Sequence, residues 1–358
     1  MAYAKERIGN ISTIGLLFIM VIVLFISISV GVSIGVVEIP LSDIFRILLY
    51  NITGVQMGDP SILAHGTTYD IVWSLRAPRV LLAAVVGMAL AMAGVVMQAT
   101  VQNPLADPYI LGMSSGASFG ATAALALGAG ALFAGTLGSA SIVVWSFVGA
   151  FGVSIAVLVL SSIGGRTTST RLVLSGVIIA SLCSSVSNLI VTFARDAENM
   201  RSISYWLMGS FASAQWYKIA VPLLAVIICG IYFTTQIRTL NTMLTGDEVA
   251  TTLGVDLARK RKAYVFMASI LTAAAVCFCG IIGFVGLIIP HTVRGLTGNN
   301  HWKLLPISCL FGGIFLVWAD IVARTILNGG ELPIGIITSL CGAPIFAYIM
   351  IKRTYSFS

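Results

Sequence analysis

The chain has 358 residues, 58% of them hydrophobic and only 9% charged, with a mean hydropathy of +1.01. A soluble domain carries about 25% charged residues, so this chain cannot clothe a globule in wetted surface and lipid must be its main solvent. The formal net charge of +7 would suit a polyanion, but its placement along the chain, given below, excludes nucleic acid as its reason.

The apolar runs are continuous rather than alternating, which excludes a β-barrel and predicts an all-α, polytopic membrane protein. About ten helices are expected, near 12–36, 78–100, 109–130, 138–163, 171–194, 217–236, 262–281, 283–296, 304–326 and 334–351. The eighth falls short of the roughly 20 apolar residues that a span needs. Lys5 and Arg7 precede the first run, and no small-residue cleavage site follows a short core. A retained first helix is therefore expected, not a signal peptide. The six cysteines lie inside apolar runs without C-x-x-C spacing and read as buried small hydrophobes. A single transmembrane domain over 1–358 is the expected organisation.

With the N-terminus inside and ten helices, thirteen of the 20 Lys and Arg fall on inner segments, while most of the acids fall outside. The positive-inside rule supports that orientation, which places both termini in the cytoplasm. The basic excess is thus topological. The same orientation puts Arg76 and Arg79 of "LRAPR" on the outer face, with Arg324 of "WADIVART". Arginine stems can snorkel to headgroups, and guanidinium forks can also bind carboxylates bidentately. Pro78 suits the first turn of a helix, so Arg76 and Arg79 are expected to project from a stiff lip.

On the inner side, "RTLNTMLTGDEVATTLGVDLARKRK" (238–262) reads as a short helix with its own punctuation. Thr245 and Glu248 have capping-box spacing, Asp247 adds charge to the first turn, and Gly254 suits a left-handed stop. Asp256 can cap the following helix. Between the fourth and fifth expected helices lies "RTTSTRLVLSG" (166–176), where Ser169 or Thr170 suits an N-cap.

Catalytic motifs are weak. "GMSSG" (112–116) has the G-x-S-x-G pattern around Ser114 but lacks the strand–turn–helix context it requires. His65, His291 and His301 have no acid orienting one toward Ser114, and His291 and Arg294 of "PHTVRGLTG" read as structural. No H-E-x-x-H and no G-x-x-x-x-G-K-[ST] occurs. No metal site, catalytic residue or cofactor is expected on this chain. The expected helix centres are nearly free of ionisable residues, unlike those of ion-coupled carriers.

Seven ordered stretches from residue 76 onward carry a family resemblance. They are "LRAPRVLLAAVVGMALAMAGVVMQATVQNPLADPYILGMSSGASFG", "TTSTRLVLSGV", "RSISYWLMGS", "GFVGLIIPHTVRGLTG", "LLPISCLFGG", "WADIVART" and "ELPIGIITSLCGAPIFAYIMIKR". The chain resembles the permeases of type II ABC importers for ferric siderophores, haem and cobalamin. The resemblance implies a ten-helix permease fold with a coupling segment at about 238–261, matched at Thr245, Gly246, Asp247, Glu248, Ala250, Leu253, Gly254 and Val255. It implies a cytoplasmic gate at Thr168, Ser169 and Thr170. It also implies that Arg76, Arg79 and Arg324 dock an extracytoplasmic substrate-binding protein. The implied partners are a second permease subunit, identical or paralogous, and two cytoplasmic ATPase subunits that bind ATP and Mg. The implied function is alternating-access import of an iron chelate, a ferric siderophore first, across a bacterial or archaeal cytoplasmic membrane. A passive channel or secondary ion-coupled carrier is the alternative reading.

Overall fold

The computed structural model describes residues 13–57, 64–126, 141–163, 165, 167–193, 197–327 and 330–352. Lys5, Arg7, Asp59, Arg166, Arg195, Asp196 and Arg353 of the charge count lie outside the described residues. So do the expected helix ends at 127–130 and 138–140.

Helices account for the architecture, and no strand occurs among the described residues. In chain order they are α1 (Thr13–Ser33), α2 (Leu41–Thr53), α3 (Ala77–Val101), α4 (Met113–Ala126), α5 (Ser141–Ser162), α6 (Ser169–Phe193) and α7 (Ala197–Leu207). There follow α8 (Trp216–Thr235), α9 (Ile237–Met243), α10 (Asp247–Thr252), α11 (Leu257–Cys279), α12 (Val285–Thr297), α13 (His301–Thr325) and α14 (Ile334–Lys352). Among the described residues, seven helical stretches are long and apolar enough to cross a membrane, while α4, α12 and α14 are shorter or less uniformly apolar. Each of the ten expected helices has a counterpart here.

The centre is α3. With the turn Thr67–Tyr69 and the π-helical segment Asp70–Arg76 before it, helix continues over 35 residues, and its most apolar window is 89% buried. Its sequence explains this: from Val80 to Val101 it carries no charge and, Gln98 apart, is small or apolar all round, which suits a core helix rather than a lipid-facing one. Helices α13, α11, α12, α8 and α1 surround it. Two glycines on α3 make the closest approaches. A Cβ on Gly87 would lie 2.1 Å from the Gly312 carbonyl oxygen of α13, and one on Gly94 would lie 1.9 Å from that of Gly286 in α12. Such small-residue contacts let helices pack in lipid, where no hydrophobic force drives them together.

Helices α11 and α12 are separated by a non-helical stretch in which Gly280 and Phe284 adopt positive φ. Unpaired backbone is costly at membrane depth. Here Ser210 N–H donates to the Cys279 carbonyl (2.8 Å), while Ile334 and Gly335 N–H donate to the Gly209 and Met208 carbonyls (3.0 and 3.1 Å). Three irregular segments thus satisfy each other. Arg76 and Arg79 lie at one end of α3 and Gln102 closes the other; these are called below the arginine end and the loop end.

Candidate functional site

At the arginine end a chain of charges ties three helices together. Arg79 Nε donates to Asp320 Oδ1 at 2.9 Å, and its Nη1 donates to both oxygens of Glu331 at 2.8 Å. Arg324 Nε lies 3.4 Å from Asp320 Oδ2. Asp320 is fully buried, and a buried carboxylate persists only when paired. Arg76 donates to the carbonyls of Val32, Ser33 and Val37, and Arg324 to that of Gly31. These oxygens end α1 or follow it, where helix carbonyls lack intrahelical partners. Arg76 therefore does not project from a lip with Arg79, as the sequence suggested, and Arg324 is likewise turned inward. They turn inward because α1 offers orphan acceptors within their reach. Arg79 keeps slight exposure, and the outward group of the cluster is Glu331, 43% exposed at its side chain.

At the loop end, α10 is bounded by Gly246 (φ +100°) and Gly254 (φ +84°). Gly254 N–H donates to Thr251 O, and Val255 N–H to Ala250 O, closing the helix as expected. The capping box is not formed. Gly246 is the N-cap, and the Thr245 hydroxyl donates back to the Thr242 carbonyl at 2.7 Å. The glycine's positive φ turns the chain between Thr245 and the first helical turn. Asp256 does cap α11, accepting from Arg259 N–H at 3.1 Å. Ala250 faces inward with no exposure, whereas Val249 and Leu253 are exposed, Leu253 at 67%. Asp247 and Glu248 flank them in the first turn.

The 166–176 segment enters α6 at the same end. Thr168, not Ser169 or Thr170, precedes the helix: its hydroxyl accepts from Arg171 N–H and its carbonyl from Leu172 N–H. Thr168 and Thr170 are exposed and Ser169 is half-buried. A cavity of about 800 Å3 separates this loop from α10, with Thr167 and Thr168 on one side and Asp247, Thr251, Val255 and Arg261 on the other. The structure thus brings the expected gate and coupling segments to one cleft.

Sequence reasoning passed over Arg261, which it read only as one charge among "ARKRK". It is 2% exposed, donating from Nε to Thr100 O at 3.1 Å and from Nη2 to Asp247 Oδ1 at 2.6 Å. Gln102 was likewise unremarked. It holds a left-handed conformation (φ 55°) and donates to Met243 O at 2.7 Å. A third contact toward the loop end joins Arg294 to Gln98 on α3 at 2.9 Å. For both Arg261 and Gln102 the only sequence signal is a polar group where an apolar helix begins or ends.

The weak motifs dissolve. Ser114 lies within the first turn of α4, and with no strand among the described residues there is no nucleophile elbow. No group of His, Cys, Asp and Glu able to hold a metal occurs among the described residues. His301 instead shares the Asn241 side-chain oxygen between its own N–H (2.9 Å) and its Nδ1 (2.7 Å). Cys229, Cys277 and Cys279 are buried as expected, but Cys341 is exposed on α14.

The FecCD transport family matches residues 19–352. The chain belongs to that family. It is similar to the cobalamin import system permease protein BtuC of Halobacterium salinarum, at 41% identity over 84% of this chain and 77% of that one. The hemin transport system permease protein HmuU of Yersinia pestis is 37% identical over 81% and 87%. The molybdate import system permease protein MolB of Haemophilus influenzae is 33% identical over 94% and 95%. A solved structure described as an inward-facing conformation of a putative metal-chelate type ABC transporter superposes with a TM-score of 0.77, at 32% identity over 94% of this chain and 99% of that one. The chain is accordingly a multi-pass ABC importer permease with a type II permease fold, which displaces the channel and ion-coupled readings.

Proposed function

We propose that the chain forms half of the membrane path of an ATP-driven importer for a bulky metal chelate, with ferric siderophores as the first substrate class and haem or a corrinoid next. The loop end and both termini face the cytoplasm of a bacterium or archaeon. Arg238, Arg259, Lys260, Lys262 and Lys303 at that end support this orientation. The carrying observation is α10, a glycine-bounded helix presenting Val249 and Leu253 beside Asp247 and Glu248, in a chain of a permease family. Residues Thr245–Val255 dock one of two ATPase subunits, which bind ATP and Mg, and a second permease, identical or paralogous, faces this one. At the outer end the binding protein docks on the arginine cluster, with Arg79 presented and Arg76 and Arg324 fixing its place.

Alternating access is the mechanism that this arrangement supports. Thr168 lies across one cleft from α10, with Ser169 and Thr170 following it into α6, so a shift of α10 on ATP binding changes how closely two facing gate loops approach. Hydroxyl side chains permit that approach and parting without breaking ion pairs. The names of the cobalamin and hemin relatives and of the metal-chelate structure support a chelate over a small anion, while the molybdate relative supplies the competitor.

The test is uptake into proteoliposomes holding the chain with its ATPase and binding protein. Radiolabelled ferrichrome, haemin, cyanocobalamin and molybdate would be offered with and without ATP. ATP-dependent uptake of a chelate is the expected result. Uptake of molybdate alone, or uptake that persists when the ATPase is catalytically disabled, would overturn the reading.

A further inference from the structure

We infer that Arg261 and Gln102 form a mechanical joint that carries motion of α10 into α3, and through α3 to the arginine end. This rests on α10 being the ATPase docking element. Arg261 belongs to α11, yet its guanidinium bonds neither of its own neighbours. One arm reaches Asp247 in the first turn of α10 and the other the Thr100 carbonyl in the last turn of α3. Gln102, the left-handed residue that closes α3, reaches the Met243 carbonyl at the end of α9, just before α10. The end of α3 is therefore held on both flanks of the Leu244–Gly246 link. The Asp247 bond is charge-assisted and short, a class roughly twice as strong as neutral hydrogen bonds. The guanidinium is almost wholly buried, so losing either acceptor would leave it desolvated and partly unpaired.

The other end of α3 gives the joint its purpose. At 1.5 Å per residue, Arg79 and Thr100 are roughly 32 Å apart along one helix, about the thickness of a bilayer's apolar core. That helix is close-packed along its length, with backbone contact to α13 and α12 at Gly87 and Gly94. Close-packed elements transmit a displacement rather than absorb it, and shift between discrete arrangements. At its far end Arg79 grips Asp320 of α13 and Glu331. A rod pinned to the ATPase-docking helix at one end and to the binding-protein surface at the other couples the two faces. Arg261 is here a positioning residue.

The experiment uses the full chain assembled with its ATPase and binding protein in proteoliposomes, reading phosphate release with and without the binding protein. Arg261→Met and Gln102→Asn are expected to co-purify with the ATPase as the unaltered chain does and to keep its unstimulated rate. Stimulation by the binding protein is expected to fall by about tenfold. Arg261→Lys, which keeps a charge on Asp247 but loses the fork, should recover part of it. Undiminished stimulation in Arg261→Met overturns the joint. So does loss of ATPase co-purification, which would make Arg261 a support for the docking shape alone. The docking reading fails separately, if Leu253→Asp leaves ATPase co-purification undiminished.

Discussion

Arg76, Arg79 and Arg324 share a chemistry but not a job. Arg76 and Arg324 answer orphan carbonyls at the end of α1, and Arg79 is held between Asp320 and Glu331. On the proposed docking reading, Glu331 therefore occupies in cis the Arg79 Nη1 that a partner's carboxylate would need. Glu331→Gln is expected to tighten binding-protein docking several-fold at low salt, as measured by biolayer interferometry on the reconstituted permease. Unchanged or weaker docking would show that Glu331 belongs to the docking surface itself. A second residue carries a pH dependence. Asp107 caps the 3-10 turn Pro108–Leu111 by accepting from Tyr109 N–H at 2.8 Å, in the turn between α3 and α4. Burial pushes its carboxyl up to about 6, with that N–H opposing the shift. The folded state then binds a proton that the unfolded chain releases above about pH 4, so this group's contribution improves as pH falls through 6. Asp107→Asn keeps the acceptor and removes the charge. It should raise the thermal midpoint at pH 7.5 and change little at pH 5 in detergent melting curves. A lower midpoint at pH 7.5 would mean that the ionised form is the one the turn needs.

Among the elements, long spans were legible because continuous apolar composition over twenty residues has one cheap solution in lipid. The short helices were less so. Helix α2 was not among the ten expected helices, although Leu41, Ile44, Phe45, Ile47, Leu48 and Ile52 recur at helical spacing. Its faces divide three ways. Ile44 and Ile47 are buried, Leu41, Phe45 and Ile52 are exposed and apolar, and Ser42, Asp43 and Arg46 lie on a polar side where Asp43 and Arg46 pair at 3.6 Å. That division suits a helix lying in the membrane interface, next to the exposed apolar side of α1. Nitroxide labels at residues 45 and 52, in a cysteine-free chain in vesicles, should relax with oxygen. Labels at 42 and 46 should relax with a water-soluble nickel chelate. Equal access of the nickel chelate to all four would place α2 in water. The short helix α10 was legible as a helix, because Asp247 and Glu248 suit a first turn and Gly254 suits its stop. Only its N-cap moved, since a capping-box spacing does not reveal that the intervening glycine takes positive φ.

In the whole molecule, one buried helix organises the rest, and its glycines set how closely neighbours approach. Gly94→Val would drive a side chain into the Gly286 carbonyl, whereas Gly152→Ala adds a methyl where nothing lies within 4 Å. Overpacking of a filled core costs about 1–3 kcal/mol or more. The valine variant should therefore lose folded yield and thermal midpoint, and the alanine variant should keep both, by fluorescence-detected size exclusion and melting. Equal behaviour would show that α3 and α12 separate more easily than their contact implies.

Composition and order along the chain determined the class of molecule: charge scarcity demands lipid, and continuous apolar runs demand helices. Seven ordered motifs carried the resemblance to importer permeases. Those properties are local or additive, so one chain read end to end contains them. That Arg76 and Arg324 turn inward, and that Arg261 spans α10 and α3, were decided only in three dimensions. Each depends on an acceptor supplied by a distant segment: Gly31 for Arg324, Val32 for Arg76, Thr100 for Arg261. Those acceptors are backbone carbonyls, which every residue possesses, so no side-chain pattern marks them. Only the packing of α3 against α1, α11 and α13 brings them within reach.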